Sequence, residues 1–162
     1  MKIFLIGFMG SGKTSIGKRL AEKLAFNFVD TDRFIEMQQG LTVAEIFSKF
    51  GESAFREMEH KLLLDLQKCK SAVISTGGGT PCHNENMKMM LACGIVIYLK
   101  TSPENLTQRL IRSQNERPLI KGKSETELLQ YIIEKLTERE QYYNCADIVV
   151  ENEVFFDRFL EK

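Results

Sequence analysis

Five short apolar runs, Ile3 to Phe8, Phe26 to Val29, Ala72 to Ser75, Ile95 to Leu99 and Ile148 to Val150, punctuate the chain. They are continuous rather than alternating, the pattern of strands covered on both faces. Between them the apolar period lengthens. Ile16, Leu20 and Leu24 recur at every fourth position, and Phe55, Met58, Leu62 and Leu66 step by three and four, so each line marks the buried face of a helix. Thr42 with Glu45 spells a capping box ahead of a short helix, and Ser102-Pro103-Glu104 starts another. Strand and helix in alternation predict a parallel α/β sheet.

One segment breaks that rhythm. Residues 112 to 124, "RSQNERPLIKGKS", are polar, contain Pro118 and Gly122, and separate two helical stretches; they read as a mobile flap or as an ordinary surface loop. No internal repeat, low-complexity tract or linker divides the rest, and 162 residues fit a single domain, 1–162, with its own core.

Charge narrows the partners. With 22 basic against 22 acidic side chains the formal net charge is zero, which argues against duplex nucleic acid or an anionic membrane, since either favours a broad basic face. Anion binding, if any, must be local. The N-terminus offers one lysine and about seven apolar-rich residues before the first glycines, too short for a signal segment or a bilayer span, so a cytoplasmic location is expected. Cys69, Cys82, Cys93 and Cys145 are scattered, with no CxxC and no histidine at zinc-ligand spacing, and indicate neither a disulfide framework nor a metal knuckle. No coiled-coil or exposed apolar repeat calls for a partner chain, and a monomer is expected.

The local anion site is written in "GFMGSGKTS", residues 7 to 15. Gly7-x-x-x-x-Gly12-Lys13-Thr14 matches the GxxxxGK[ST] pattern, with a strand before it and an amphipathic helix after it. Such a turn presents the backbone N–H groups of Gly10, Ser11, Gly12, Lys13, Thr14 and Ser15 at a helix N-terminus, where they and the helix dipole hold polyphosphate. The Lys13 ammonium then sits against the outer phosphates, and the Thr14 hydroxyl ligates Mg²⁺. ATP or GTP binding follows. A GTPase would need a base-reading NKxD-like motif and a DxxG switch, and neither appears.

Acids and arginines supply the remaining chemistry. Asp30 and Asp32 in "FVDTDRF" follow the second strand, and ligands of open parallel sheets sit beyond strand C-terminal ends. One carboxylate can support Mg²⁺ through water while the other orients an acceptor hydroxyl; the alternative is that one or both cap the next helix. Arg56 and Glu59 lie three apart on a helix, so the acid can hold the guanidinium. Arg139 falls on the line Ile132, Leu136, Arg139, Tyr143, the apolar face of its helix, where a guanidinium requires an anion. Arg56 and Arg139 together suit a small carboxylate. Gly77 to Gly79 would let backbone N–H groups approach the same molecule, or simply make a tight turn.

Taken in order, "GFMGSGKTS", "DTD" at Asp30 to Asp32, "FREME" around Arg56, "STGGG" at Ser75 to Gly79, "RPL" at Arg117 to Leu119 and "ERxxYY" from Glu138 resemble the shikimate kinase family over most of the chain. The resemblance implies a three-layer α/β/α fold of the P-loop, nucleoside-monophosphate-kinase-like type, with a five-stranded parallel sheet and a mobile lid at about 112–124. It implies MgATP-dependent phosphorylation of the 3-hydroxyl of shikimate, a step towards chorismate and the aromatic amino acids. By the same carry-over Asp32 meets the shikimate hydroxyls and assists deprotonation, Asp30 supports Mg²⁺, and Arg56, Arg139 and the Gly78-Gly79 backbone bind shikimate. Arg117 belongs to the lid and presses charge on the transferring phosphate. The family's upstream adenine-stacking arginine corresponds to Arg109 or Arg112, of which Arg112 is taken here. Its C-terminal counterpart has no match before Arg158. A kinase for another polyhydroxy acid, such as gluconate, and a silent nucleotide-binding module are the alternatives.

Overall fold

A computed structural model describes residues 1–113 and 122–151. Most of the expected lid, Arg117 and Arg158 lie outside those residues. Five strands, β1 (Lys2–Ile6), β2 (Asn27–Asp30), β3 (Ala72–Ser75), β4 (Ile95–Leu99) and β5 (Ile148–Val150), form one sheet in the order β2-β3-β1-β4-β5. Every neighbouring pair is parallel. The helices are α1 (Lys13–Leu24), α2 (Thr31–Gln39), α3 (Val43–Leu66), α4 (Asn86–Cys93), α5 (Pro103–Arg112) and α6 (Glu125–Tyr143), with a short 3-10 turn at Thr80–Cys82.

The continuous apolar runs have a direct cause in the layers. On β1, Ile3 and Leu5 face a core shared with Ile16, Leu20 and Ala21 of α1, while Phe4 and Ile6 face a larger core with Phe55, Leu62, Leu63, Ile132 and Leu136. β4 divides the same way, with Ile97 and Leu99 on one side and Val96 and Tyr98 on the other. Each such side chain contributes about 1.5–3 kcal/mol of burial, so both faces anchor the loops that leave the strand ends. α1 lies especially close to the sheet: a Cβ on Gly17 would stand 2.6 Å from the Phe28 ring.

Two boundaries and one strand's cover depart from the apolar pattern. β1 stops at Ile6, because Gly7 (φ +144°) turns the chain into the phosphate loop. β2 runs one residue further than expected and ends on Asp30, which pairs in register with Ser75 and also caps α2. β5 is the exception to two-sided cover, with Ile148 and Val149 more than two-fifths exposed on the sheet edge. The capping box at Thr42 and Glu45 is formed, and Ser102 caps α5 ahead of Pro103. The helix that Thr42 starts joins the next one through a break at Gly51, giving α3 its length.

Candidate active site

The phosphate loop is a backbone device. Gly10 and Gly12 take φ of +84° and +90°, values that favour glycine and turn successive N–H groups inward. Gly12 is the N-cap of α1 and supplies no side-chain cap, and no acid stands in the first turn. The helix N-terminus therefore keeps its donors and its dipole for an anion. Lys13 Nζ donates to the carbonyls of Gly7 and Phe8, both at 2.8 Å, and lies 3.5 Å from Ser11 Oγ. Those bonds hold the ammonium at the floor of the loop. Thr14 and Ser15 are exposed on the first turn.

Asp30 links this loop to the second strand. Its Oδ2 accepts from the Thr14 hydroxyl at 2.8 Å, and its Oδ1 accepts from the Arg33 N–H at 3.2 Å. The cap and the hydroxyl contact are thus made by the same carboxylate, so the two readings of Asp30 are not exclusive. The sheet places Thr14 and Asp30 side by side as an all-oxygen pair, donors of the kind Mg²⁺ takes.

Asp32 behaves differently. It sits in the first turn of α2 and its Oδ1 is sealed from water without a hydrogen-bond partner. Burial, then the neighbouring Glu59 and Asp30 carboxylates, push its pKa up to about 7, with Lys13 opposing and Glu36 adding to the rise. An unsatisfied buried acceptor poised near neutrality suits a group that receives a hydroxyl proton.

The residues around Asp32 converge on the glycine turn after β3. Gly77 donates its N–H to Thr31 Oγ1 at 3.1 Å, and a Cβ there would lie 2.6 Å from both Asp32 Oδ1 and Glu59 Oε1. Only a residue without a side chain leaves the two carboxylates that space. Gly79 supports Arg56: a Cβ there would stand 2.6 Å from Arg56 Nη2. Gly78 does the same for Arg139, with Nη1 at 3.2 Å from the corresponding point and the Gly7 carbonyl at 3.5 Å. The turn therefore touches both guanidinium groups and the phosphate loop.

Both arginines are held from behind. Arg56 donates to Glu59 at 2.7 Å and to Glu52 at 2.8 and 3.1 Å. Burial works against its charge, but Glu59 and Glu52 outweigh that and raise its pKa. Arg139 is half-buried, 5.3 Å from the Phe8 ring centroid, and its charge bears on the buried Tyr143 hydroxyl. The Tyr143 hydroxyl in turn donates to the Gly78 carbonyl. Among the described residues no carboxylate pairs with Arg139.

The structure thus brings together Lys13, Thr14, Asp30, Asp32, Arg56, Gly78, Gly79 and Arg139. Of the two candidate adenine arginines, Arg109 reaches the loop, with Nη1 3.4 Å from the Gly10 carbonyl, whereas Arg112 is exposed at the end of α5. Sequence reasoning passed over Thr80, placed Tyr143 on the apolar line of its helix without a role in the site, and treated Glu59 only as a partner for Arg56. Glu59 carried a readable signal. Phe55, Glu59, Leu62 and Leu66 step by four, three and four, and it is Glu59, with no exposed surface, rather than half-buried Met58 that lies on the buried line.

Comparison with known proteins adds an independent finding. A family model described as shikimate kinase matches residues 9–155. The shikimate kinase of Azobacteroides pseudotrichonymphae is 51% identical over 149 residues, covering 91% of this chain and 88% of that protein. The crystal structure of a shikimate kinase from Bacteroides thetaiotaomicron superposes with a TM-score of 0.91 at 40% identity, over 93% of this chain and 86% of that one. The structure of a shikimate kinase from Acinetobacter baumannii in complex with shikimate gives 0.83 at 38% identity, over 93% of this chain and 83% of that one.

Proposed function

The chain belongs to the shikimate kinase family, and from that premise we propose how its residues divide the work. Its activity is ATP-dependent phosphorylation of shikimate at the 3-hydroxyl. The observation that carries the division is the Gly77–Gly79 turn, where Asp32 lies beside Gly77, Arg56 beside Gly79, and Arg139 beside Gly78 together with the Gly7 carbonyl of the phosphate loop.

On one side of that turn the backbone of Gly10 to Ser15 cradles the phosphates of ATP, with Lys13 leaving its loop carbonyls for the outer phosphate oxygens. Thr14 directly and Asp30 through water fit Mg²⁺, which when bound neutralises phosphate charge. Arg112 lies on the nucleotide side with Arg109 beside it, and Arg117, outside the described residues, adds charge on the transferring group as the lid closes. On the other side Arg56 and Arg139 hold the shikimate carboxylate, and the Gly78 and Gly79 backbone packs against the ring. Asp32 Oδ1 accepts the hydrogen of the 3-hydroxyl. As the oxygen attacks the γ-phosphorus, the proton passes to Asp32, the bond to the β-phosphate oxygen breaks and ADP leaves. Positioning and electrostatics supply the rate.

We take the enzyme to be a single domain acting as a cytoplasmic monomer. No helix among the described residues is long and apolar enough to cross a membrane, and sedimentation checks the oligomeric state. The decisive experiment follows ADP release in MgATP with shikimate, with gluconate and with neither. Release that depends on shikimate alone supports the assignment. ATP binding without acceptor-dependent ADP would retire it in favour of a silent nucleotide-binding module.

A further inference from the structure

Beneath the two guanidinium groups lies a carboxylate that water does not reach. Glu59 has no exposed surface, and a buried carboxylate is costly unless its oxygens are answered by donors. Arg56 answers Oε2 at 2.7 Å, and the hydroxyl of Thr80, 21 residues further along the chain, answers Oε1. Thr80 is itself fully buried and fixed on three sides. Its N–H donates to the Gly77 carbonyl at 3.1 Å, its carbonyl accepts from Asn86 Nδ2 at 2.9 Å, and its single hydroxyl proton goes to Glu59. Asn86 is secured in the same way. With Nδ2 committed to Thr80, its Oδ1 must accept, so the His60 Nδ1 that lies 2.7 Å away carries a proton.

This series of bonds ends at the crowded side of Gly77. Glu59 Oε1 and Asp32 Oδ1 approach the same point there, 2.6 Å from each, and Thr80 Oγ1 stands 2.9 Å from it. Two buried carboxylates repel strongly at short range. The Thr80 proton keeps one of them occupied, and because that proton is spent on Glu59 it is withheld from Asp32 Oδ1. Without it Glu59 would turn to find another donor and carry the Arg56 fork with it.

We propose that Thr80 is a positioning residue for shikimate binding, its hydroxyl fixing Glu59 and, through Glu59, the Arg56 guanidinium over the Gly77–Gly79 turn. The inference rests on the reading of Arg56 as a holder of the shikimate carboxylate. Nothing in the phosphate loop depends on it.

The test measures kcat and the KM for shikimate and for ATP in Thr80→Val, Thr80→Ser, Arg56→Ala and the Thr80→Val/Arg56→Ala double variant, each checked by thermal melting. Valine keeps the shape and removes the hydroxyl. Loss of a hydrogen bond to a charged group predicts a rise of about tenfold in shikimate KM for Thr80→Val. The ATP KM and kcat stay within about twofold, and Thr80→Ser restores shikimate KM to within about twofold of the parent. In the Arg56→Ala background Thr80→Val adds nothing, because the residue through which it acts is gone. An unchanged shikimate KM in a cooperatively melting Thr80→Val protein overturns the proposal, as does a full effect that persists without Arg56. If Arg56→Ala itself leaves shikimate KM unaltered, the clamp reading falls and takes the Thr80 role with it, an outcome distinct from failure of Thr80→Val alone. Should Thr80→Val not fold, Thr80→Ala, which leaves room for a water beside Glu59, is measured against the same expectations.

Discussion

From Gly7 to Ser15 the phosphate loop is one unbroken stretch of chain whose donors are backbone N–H groups at the start of α1. Across Gly78 from it, the acceptor cradle draws Asp32 from α2, Arg56 and Glu59 from α3, the glycine turn from the end of β3, and Arg139 and Tyr143 from α6. Apart from Lys13, whose ammonium rests on the loop carbonyls, the loop binds an anion with partial charges that cost little to keep when no ligand is bound. The cradle works with full charges that must be paired, buried and aimed by residues far apart in sequence. Single substitutions should therefore separate the two regions: damage to the cradle appears in shikimate handling, and damage at the loop's rim in ATP handling.

The largest separation is expected from Asp32→Asn. An amide cannot take the hydroxyl proton, so turnover falls at least a hundredfold, about 2.7 kcal/mol on the barrier, while ATP affinity is unchanged. The same substitution should raise the thermal midpoint. It replaces a carboxylate whose Oδ1 is sealed, unpartnered and close to Glu59 with a neutral group whose N–H can approach that acid. Near-normal turnover would remove Asp32 from proton transfer, and a lowered midpoint would show that its environment is not under strain.

Next comes Arg139→Ala. Its guanidinium is half-buried, and among the described residues no carboxylate pairs with it, so removing it leaves the shikimate carboxylate short of a charge partner. About 2 kcal/mol, or roughly thirtyfold in shikimate KM, is expected with ATP KM unmoved. A comparable rise in ATP KM would mean that the two regions share Arg139, and the contrast between them would collapse.

The same contrast explains what could be read from the sequence. The phosphate loop was legible because its chemistry is local: a strand, spaced glycines, Lys13-Thr14 and an amphipathic helix need no distant residue to make sense. Arg139 was legible because an arginine on the line Ile132, Leu136, Tyr143 breaks a period. The identical break at Glu59 escaped because Met58, adjacent to it, completes an equally acceptable apolar line. Spacing cannot choose between neighbours one position apart; packing does, and it buries Glu59. Nor does sequence show that Asp30 both caps α2 and meets Thr14, since that contact spans 16 residues and depends on the β2–β3–β1 order. Tyr143 and Gly78, 65 residues apart, were further out of reach.

Glycine substitutions sharpen the comparison at its boundary. In Gly77→Ala the new methyl would lie 2.6 Å from Asp32 Oδ1 and from Glu59 Oε1, the second of which Thr80 holds in place. Overpacking of this kind costs about 1–3 kcal/mol of stability, and displacement of Asp32 and Glu59 should raise shikimate KM about tenfold. Gly78→Ala meets the tip of Arg139 at 3.2 Å, a movable group, and should change shikimate KM only a fewfold. A reversed order of the two would show that the turn is positioned by Arg139 rather than by the acids behind it.

Smaller effects than those at Asp32, Arg139 and Gly77 should come from the loop's own rim, at Arg109. Its Nη1 stands 3.4 Å from the Gly10 carbonyl, on the nucleotide side and away from the glycine turn. An exposed guanidinium acts through water and counterions, so about 1 kcal/mol is the most it can contribute to ATP binding, a rise of about fivefold in ATP KM for Arg109→Ala. Arg112, one turn further on, should do less, since it is exposed beyond the loop. The Arg109 effect should shrink as salt is raised from about 0.05 to 0.5 M, because screening shortens the reach of surface charge. The effect of Arg139→Ala on shikimate should shrink less, because its guanidinium is partly withdrawn from solvent between Phe8 and the glycine turn. Equal salt sensitivity at the two arginines would mean that the cradle is as open to water as the rim, and that burial is not what distinguishes the acceptor side from the phosphate side.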